Sequence, residues 1–204
     1  MDHRRKGSTA DEEYANRLKR LAGVWWKRLL PVQAPYRWHV RRLRLGRTLD
    51  VGCGAGRNLH HLGGHGVGVD HNPHLVQAAR ARGFEAYTPE EFRSSPRARP
   101  ESYDSLLFAH VLEHMTRSEA KSLIELYLPY LRPRGRTVVF TPQERGYATD
   151  ATHVEFMDFE RVWSVCREVG LQVERSYSFP LPRWMGRLFP YNEFVVIARL
   201  RARP

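Results

Sequence analysis

Cysteine is nearly absent from this sequence. Two residues in 204, Cys53 and Cys166, build neither a disulfide framework nor a metal knuckle, so a reducing, cytoplasmic setting is expected. Long apolar runs are missing as well: none reaches the roughly 18 residues of a membrane span, and no signal-peptide pattern opens the chain. Lysine is scarce, with 4 against 29 arginines, which weakens the formal charge of +11 as a sign of nucleic-acid binding. No internal repeat is visible, and no linker splits the main body.

The charge is unevenly placed. Residues 1–47 hold thirteen Lys/Arg against four Asp/Glu, a balance of +9, and residues 48–204 hold twenty against eighteen, only +2. The basicity therefore belongs to an N-terminal arm, residues 1–46, and the body, residues 47–204, is close to neutral. Within the arm, Thr9-x-x-Glu12 reads as a capping box that opens a helix. Tyr14, Leu18, Leu21, Trp25 and Leu29 follow at helical spacing until Pro31, with Arg17, Arg20, Lys27 and Arg28 largely off the stripe. Such a helix either packs on the domain with a solvated basic face or touches a membrane surface or an acidic ligand.

From Arg47 onward short apolar runs alternate with helical patterns. "RTLDVG", "GVGVD", "FEAY", "YDSLLFAHVL", "RTVVFTP", "LQVERSYSF" and "NEFVVIARL" read as seven strands. Helices are expected over "GRNLHHL", "HLVQAARAR", Ser118 to Leu131 and "DFERVWSVCREVG", the last capped by Asp158 and stopped at Gly170. "TPEEFRSSPRARPES" reads as a polar loop. The alternation predicts an α/β fold: a Rossmann-like, doubly wound, seven-stranded sheet, mostly parallel, with the last strand antiparallel.

Ligands in such sheets bind at the carboxyl ends of the strands, beside the first. Gly52, Gly54 and Gly56 occupy that turn, and Asp70 at the end of strand two can accept hydrogen bonds from a ribose diol. A dinucleotide loop reads G-x-G-x-x-G, but Arg57 and Leu59 stand where its third glycine belongs. The actual pattern, D-x-G-x-G-x-G in "LDVGCGAG", resembles motif I of the class I S-adenosylmethionine (SAM)-dependent methyltransferases. "VGVDHNPHLVQAAR" and "YDSLLFAHVLEHM" resemble the next two family blocks, nearest to the small-molecule branch of ubiquinone and sugar methyltransferases. The resemblance implies that Asp50 and the turn Gly52, Cys53, Gly54 and Gly56 face the methionine part of SAM. It also implies that Asp70 holds the ribose, His71 and Asn72 flank the adenosine, Glu91 borders the adenine, and His110 lies beside the sulfonium.

The acceptor is expected over the ends of strands four and five, under residues 141–158, "TPQERGYATDATHVEFMD". His153, His110 and Tyr147 are the candidate catalytic set, with His153 the expected general base because imidazole titrates near neutrality. His114, in "HVLEH" with Glu113, is a further candidate base. Asp150, His153 and Glu155 are an alternative set of ligands for magnesium, although their spacing matches no metal signature. No N/D-P-P-Y/F motif follows strand four, which argues against methylation of base amino groups. The expected reaction is O-methylation of a hydroxylated small molecule, a saccharide among the candidates. Trp25, Trp26, Tyr36, Trp38, Trp184, Phe189 and Tyr191 either stack on such a substrate or build core, and Arg57 and Arg145 suit an anionic acceptor. The rival readings are an RNA or protein methyltransferase docking through the basic arm, and a SAM-binding protein without catalysis.

Overall fold

A computed structural model describes residues 34–200; the expected helix from Thr9 to Leu29 lies outside them. The elements are α1 (Ala34–Arg42), β1 (Thr48–Val51), α2 (Arg57–His61), β2 (Gly66–Val69), α3 (Pro73–Ala81), β3 (Ala86–Tyr87), α4 (Pro89–Ser94), β4 (Tyr103–Ala109), α5 (Arg117–Tyr127), β5 (Leu131–Pro142), α6 (Glu144–Tyr147), α7 (Phe159–Glu168), β6 (Leu171–Phe179) and β7 (Glu193–Leu200). The seven strands form one sheet in the order β3-β2-β1-β4-β5-β7-β6. The first five are parallel, and β7 enters antiparallel between β5 and β6. The sheet is the expected one, with β7 as the inserted strand.

Alternating side chains of β4 explain how the sheet is covered. Leu106 and Phe108 join Leu49, Val51, Ile124, Val162 and Val165 in one buried cluster. Leu107 and Ala109 point the other way and pack with Val138, Phe140, Val195 and Ile197. That second face is covered by α1, whose Tyr36 and Val40 enter the cluster. Both faces of β4 are therefore apolar, as a central parallel strand requires.

Helix starts follow from local side-chain chemistry. Asn72 caps α3 by accepting from the amides of His74 and Leu75, and Asp158 caps α7 by accepting from Arg161. Thr116 and Glu119 form a capping box at α5. Several boundaries differ from expectation. α5 stops at Tyr127, because Pro129 occupies the short 3₁₀ turn Leu128–Tyr130 and cannot continue an α-helix. Leu131 then opens β5, well before the expected start at Arg136. The supposed loop after β3 contains α4, begun by a second capping box between Thr88 and Glu91. Among the described residues no helix is long and apolar enough to cross a membrane.

Candidate active site

The glycine turn sits where β1 ends. Gly52 has φ +78°, and a Cβ there would lie 2.2 Å from Cγ2 of Val111, so only glycine lets the turn pass this close to the end of β4. Gly56 has φ +81° and begins α2, with Phe84 2.5 Å from where a Cβ would stand. Gly54 donates its amide to Oδ2 of Asp70 at 2.8 Å, and Asn72 donates to Oδ1 at 2.9 Å. Each Asp70 oxygen keeps a second lone pair, which fits a vicinal diol at this point.

Asp50 lies one strand position before the turn and is fully buried. Neither of its carboxylate oxygens meets a donor in good hydrogen-bond geometry. Burial pushes the carboxyl up to about 7, against the opposing pull of the Asn58 amide and the Arg57 guanidinium. An orphaned acid of this kind suits an ammonium group arriving with a ligand. Nearby, Tyr36 donates its hydroxyl to Asn58 at 3.2 Å, and Arg57 lies 5.0 Å over the Tyr36 ring. Helix α1 thus reaches, through Tyr36, the start of α2 that follows the glycine turn.

His110 ends β4 in the left-handed region, with φ +60°, which turns the chain before the expected strand is complete. Its Nε2 is 2.7 Å from Glu193 of β7, and its Nδ1 is 3.3 Å from Glu113. Burial opposes the imidazolium, but the Glu193 and Glu113 carboxylates outweigh it and hold the ring at about 9. Glu193 was not among the expected residues. Its only sequence signal is an acid at the head of the otherwise apolar "FVVIA".

Residues 141–158 fold back onto the turn after β4. The amides of Val154 and Glu155 donate to the carbonyl of Glu113, and Thr141 Oγ1 donates to the carbonyl of Met157. Within this segment α6 is held by Gln143, which donates to Ser178 and to the carbonyl of Glu193 and accepts from Asn192. The fold-back sets His153 against His114, with ring centroids 4.8 Å apart. His153 Nδ1 lies 2.7 Å from the carbonyl of Tyr147, so that nitrogen carries the proton and Nε2 is left as an acceptor. Tyr147 stacks on the same ring at 4.9 Å. His114 places Nδ1 3.1 Å from the Thr152 hydroxyl, and burial lowers its pKa.

Several expected roles shift. The ligand set Asp150, His153 and Glu155 is not assembled; the trio brought together among the described residues is Glu113, His114 and His153, with donor atoms within 4.8 Å of one another. Asp150 instead closes a turn by accepting from the amide and hydroxyl of Thr152. Glu155 accepts from the Arg117 amide and from Arg161. Glu91 pairs with Arg80 and completes the α4 capping box, a structural use of its carboxylate. The Asn72 side-chain oxygen serves the α3 cap, and Cys53 turns its thiol into the cluster with Leu59 and Val76. Only backbone is left at Cys53 to face a ligand. His71 is exposed beside Asp70, 3.6 Å away.

The family described as "Methyltransferase domain" matches residues 49–139, the stretch that carries the glycine turn, Asp70 and the end of β4. Residues 49–139 are thus those of a methyltransferase domain, and the chain is similar to class I SAM-dependent methyltransferases. A ubiquinone biosynthesis O-methyltransferase of Xanthomonas euvesicatoria is 26% identical over 153 residues, covering 67% of this chain and 63% of that protein. One from a Methylobacterium is 27% identical over 157 residues, covering 63% of this chain and 62% of that protein. The chain thus spans less than two thirds of these curated relatives. A SAM-dependent methyltransferase of Archaeoglobus fulgidus superposes with a TM-score of 0.68 at 17% identity, over 93% of this chain and all of that one. The magnesium protoporphyrin IX methyltransferase of Synechocystis, solved with bound S-adenosylhomocysteine (SAH), gives 0.63 at 15% identity, over 94% and 96% of the two chains. At such identities these two structures share the fold.

Proposed function

We propose that this chain transfers a methyl group from SAM to a hydroxyl of a small molecule, with His153 as the general base. The observation that carries the reading is the His153 ring, fixed through Nδ1 by the Tyr147 carbonyl so that Nε2 can take a proton. The donor side is supported by Asp50, whose orphaned carboxylate suits the SAM ammonium, and by Asp70, which suits the ribose hydroxyls. When bound, SAM supplies an already activated methyl, so the protein's task is alignment and exclusion of water. As the acceptor oxygen bonds to the methyl carbon, the carbon–sulfur bond breaks and neutral SAH leaves. The hydroxyl proton passes to His153 Nε2.

A saccharide remains the acceptor class we favour, on the polar loop 141–158 and the exposed rings of Trp184 and Tyr191. Magnesium is not carried forward: it takes oxygen ligands, whereas the assembled trio offers two imidazoles and one carboxylate. The basic arm is assigned no role in turnover.

The test is a screen of hydroxylated acceptors, sugars included, read by product mass with and without chelator. Turnover should resist chelator and fall at least ~100-fold in His153→Ala, with SAM affinity kept. Near-normal turnover in that variant removes His153 as the base. Chelator-sensitive turnover restored by zinc would make the trio a metal site. If activity appears only with RNA or protein and weakens steeply with salt and on deletion of residues 1–30, the arm-docking rival is right. Intact SAM binding without turnover on any acceptor would leave a binding protein.

A further inference from the structure

We propose that Glu193 makes the donor site discriminate by charge, favouring the cationic donor over its neutral product. The inference rests on the SAM reading above and concerns a residue of β7, outside the stretch 49–139 matched to the family.

The two nitrogens of His110 each face a carboxylate oxygen, Glu193 at 2.7 Å and Glu113 at 3.3 Å. Only the Glu193 contact is a full hydrogen bond, since neither Glu113 oxygen has a hydrogen-bond partner, but two carboxylates within ion-pair distance favour the charged ring, which is a cation. The cluster is therefore one imidazolium between two carboxylates, with one negative charge left over. It is also withdrawn from water: Glu113 is fully buried and Glu193 nearly so. The second oxygen of Glu193 is buried without a hydrogen-bond partner.

This excess charge stands at the carboxyl end of β4, beside the end of β1 that carries Asp50, since the two strands are parallel neighbours with Val51 opposite Phe108. Glu193 and Asp50 both disfavour ionisation of the Tyr36 hydroxyl, which donates to Asn58. Gly52 packs against Val111, the residue after His110, so the glycine turn and the His110 cluster touch the same space. SAM enters with a positive sulfonium. Transfer moves the methyl to the acceptor oxygen, sulfur keeps the electron pair of the broken bond, and the product is a neutral thioether. A fixed negative charge nearby thus holds the donor more tightly than SAH, while the ammonium and ribose contacts are common to both. The benefit lies in product release rather than in the methyl-transfer barrier, since attraction to a charge that vanishes in the reaction does not lower that barrier.

The experiment is calorimetric titration of the full chain with SAM and with SAH, for wild type and Glu193→Gln. Gln keeps the shape and removes the charge. At several ångströms and an effective dielectric of about 20, one charge changes affinity by about tenfold or more. SAM affinity should fall by that factor in Glu193→Gln while SAH affinity moves less than about twofold. Glu113→Gln should shift the preference in the same direction and serves if the first variant fails to fold; Glu193→Asp, which keeps the charge, should retain it. Equal losses for both ligands would mean that Glu193 only shapes the pocket, and an unchanged ratio would also overturn the proposal. If wild type binds neither ligand, the SAM reading itself fails; if it binds both, that reading stands and the ratio alone decides.

Discussion

Asp50 and Asp70 stand at the ends of neighbouring strands and have opposite settings. Asp70 is already tied to two backbone amides, while Asp50 is buried with no directed donor. Hydrogen bonds to a charged group contribute about 1.5–3 kcal/mol each, so losing the two proposed ribose contacts in Asp70→Ala should weaken SAM binding at least ~100-fold, read by calorimetry. Unchanged affinity would remove Asp70 from the donor site. Asp50→Asn should separate binding from stability. The Asp50 carboxyl is raised by burial from 3.8 to about 7, so its ionisation destabilises the fold, little below pH 3.8 and fully above about 7. The Asn variant should be the more stable at pH 8, by ~1 kcal/mol or more, yet bind SAM poorly; a loss of stability would contradict the setting described for Asp50.

At the scale of elements, the site depends on close approaches that only particular backbones permit. The turn after β1 passes Val111 so closely that Gly52→Ala must displace either the turn or the end of β4. Its positive φ adds strain of about 1–3 kcal/mol for a residue with a Cβ. SAM affinity should fall more than about tenfold in this variant, with far-ultraviolet circular dichroism near wild type; retained affinity would show that the approach is not needed. Strand β7 has a comparable part on the opposite side. Entering antiparallel between β5 and β6, it brings Glu193 opposite Pro142 and within reach of His110. Helix α1 then closes the second face, with His39 stacked 3.9 Å from Phe179 and bonded to the Tyr177 hydroxyl.

For the whole molecule, the charge settings predict a pH profile. With Asp50 as the proposed partner of the SAM ammonium, affinity should fall as pH drops below about 7, since the proton and the ammonium compete for one carboxylate. Titrations between pH 6 and 8.5 check this, and a flat profile would count against the contact. His110 acts in the other sense. Its raised value, about 9 against 6.5, contributes stability that is full below 6.5 and lost as pH rises through about 9. Thermal melts from pH 6 to pH 10 should therefore decline on the alkaline side.

Much was legible along the chain because its signals are local. The spacing of Gly52, Gly54 and Gly56, the absence of glycine at 57 and 59, and the acid at 70 determine a turn and the carboxylate that braces it within one βαβ unit. The alternation of apolar runs with helical periods determined a seven-stranded α/β sheet, and even the antiparallel entry of β7 follows from two final strands without a full helix between them. What the sequence left open were contacts between distant segments. The loop 141–158 carries several acids and a histidine at similar spacing, and nothing local says which is engaged. Only the fold-back onto Glu113 shows that Asp150 and Glu155 serve the backbone while His153 meets His114. Glu193 lies 83 positions from His110; no periodicity joins them. A buried charge reads the same as a surface one in sequence, and its partner is chosen by strand order and side-chain reach, which exist only once the sheet has closed.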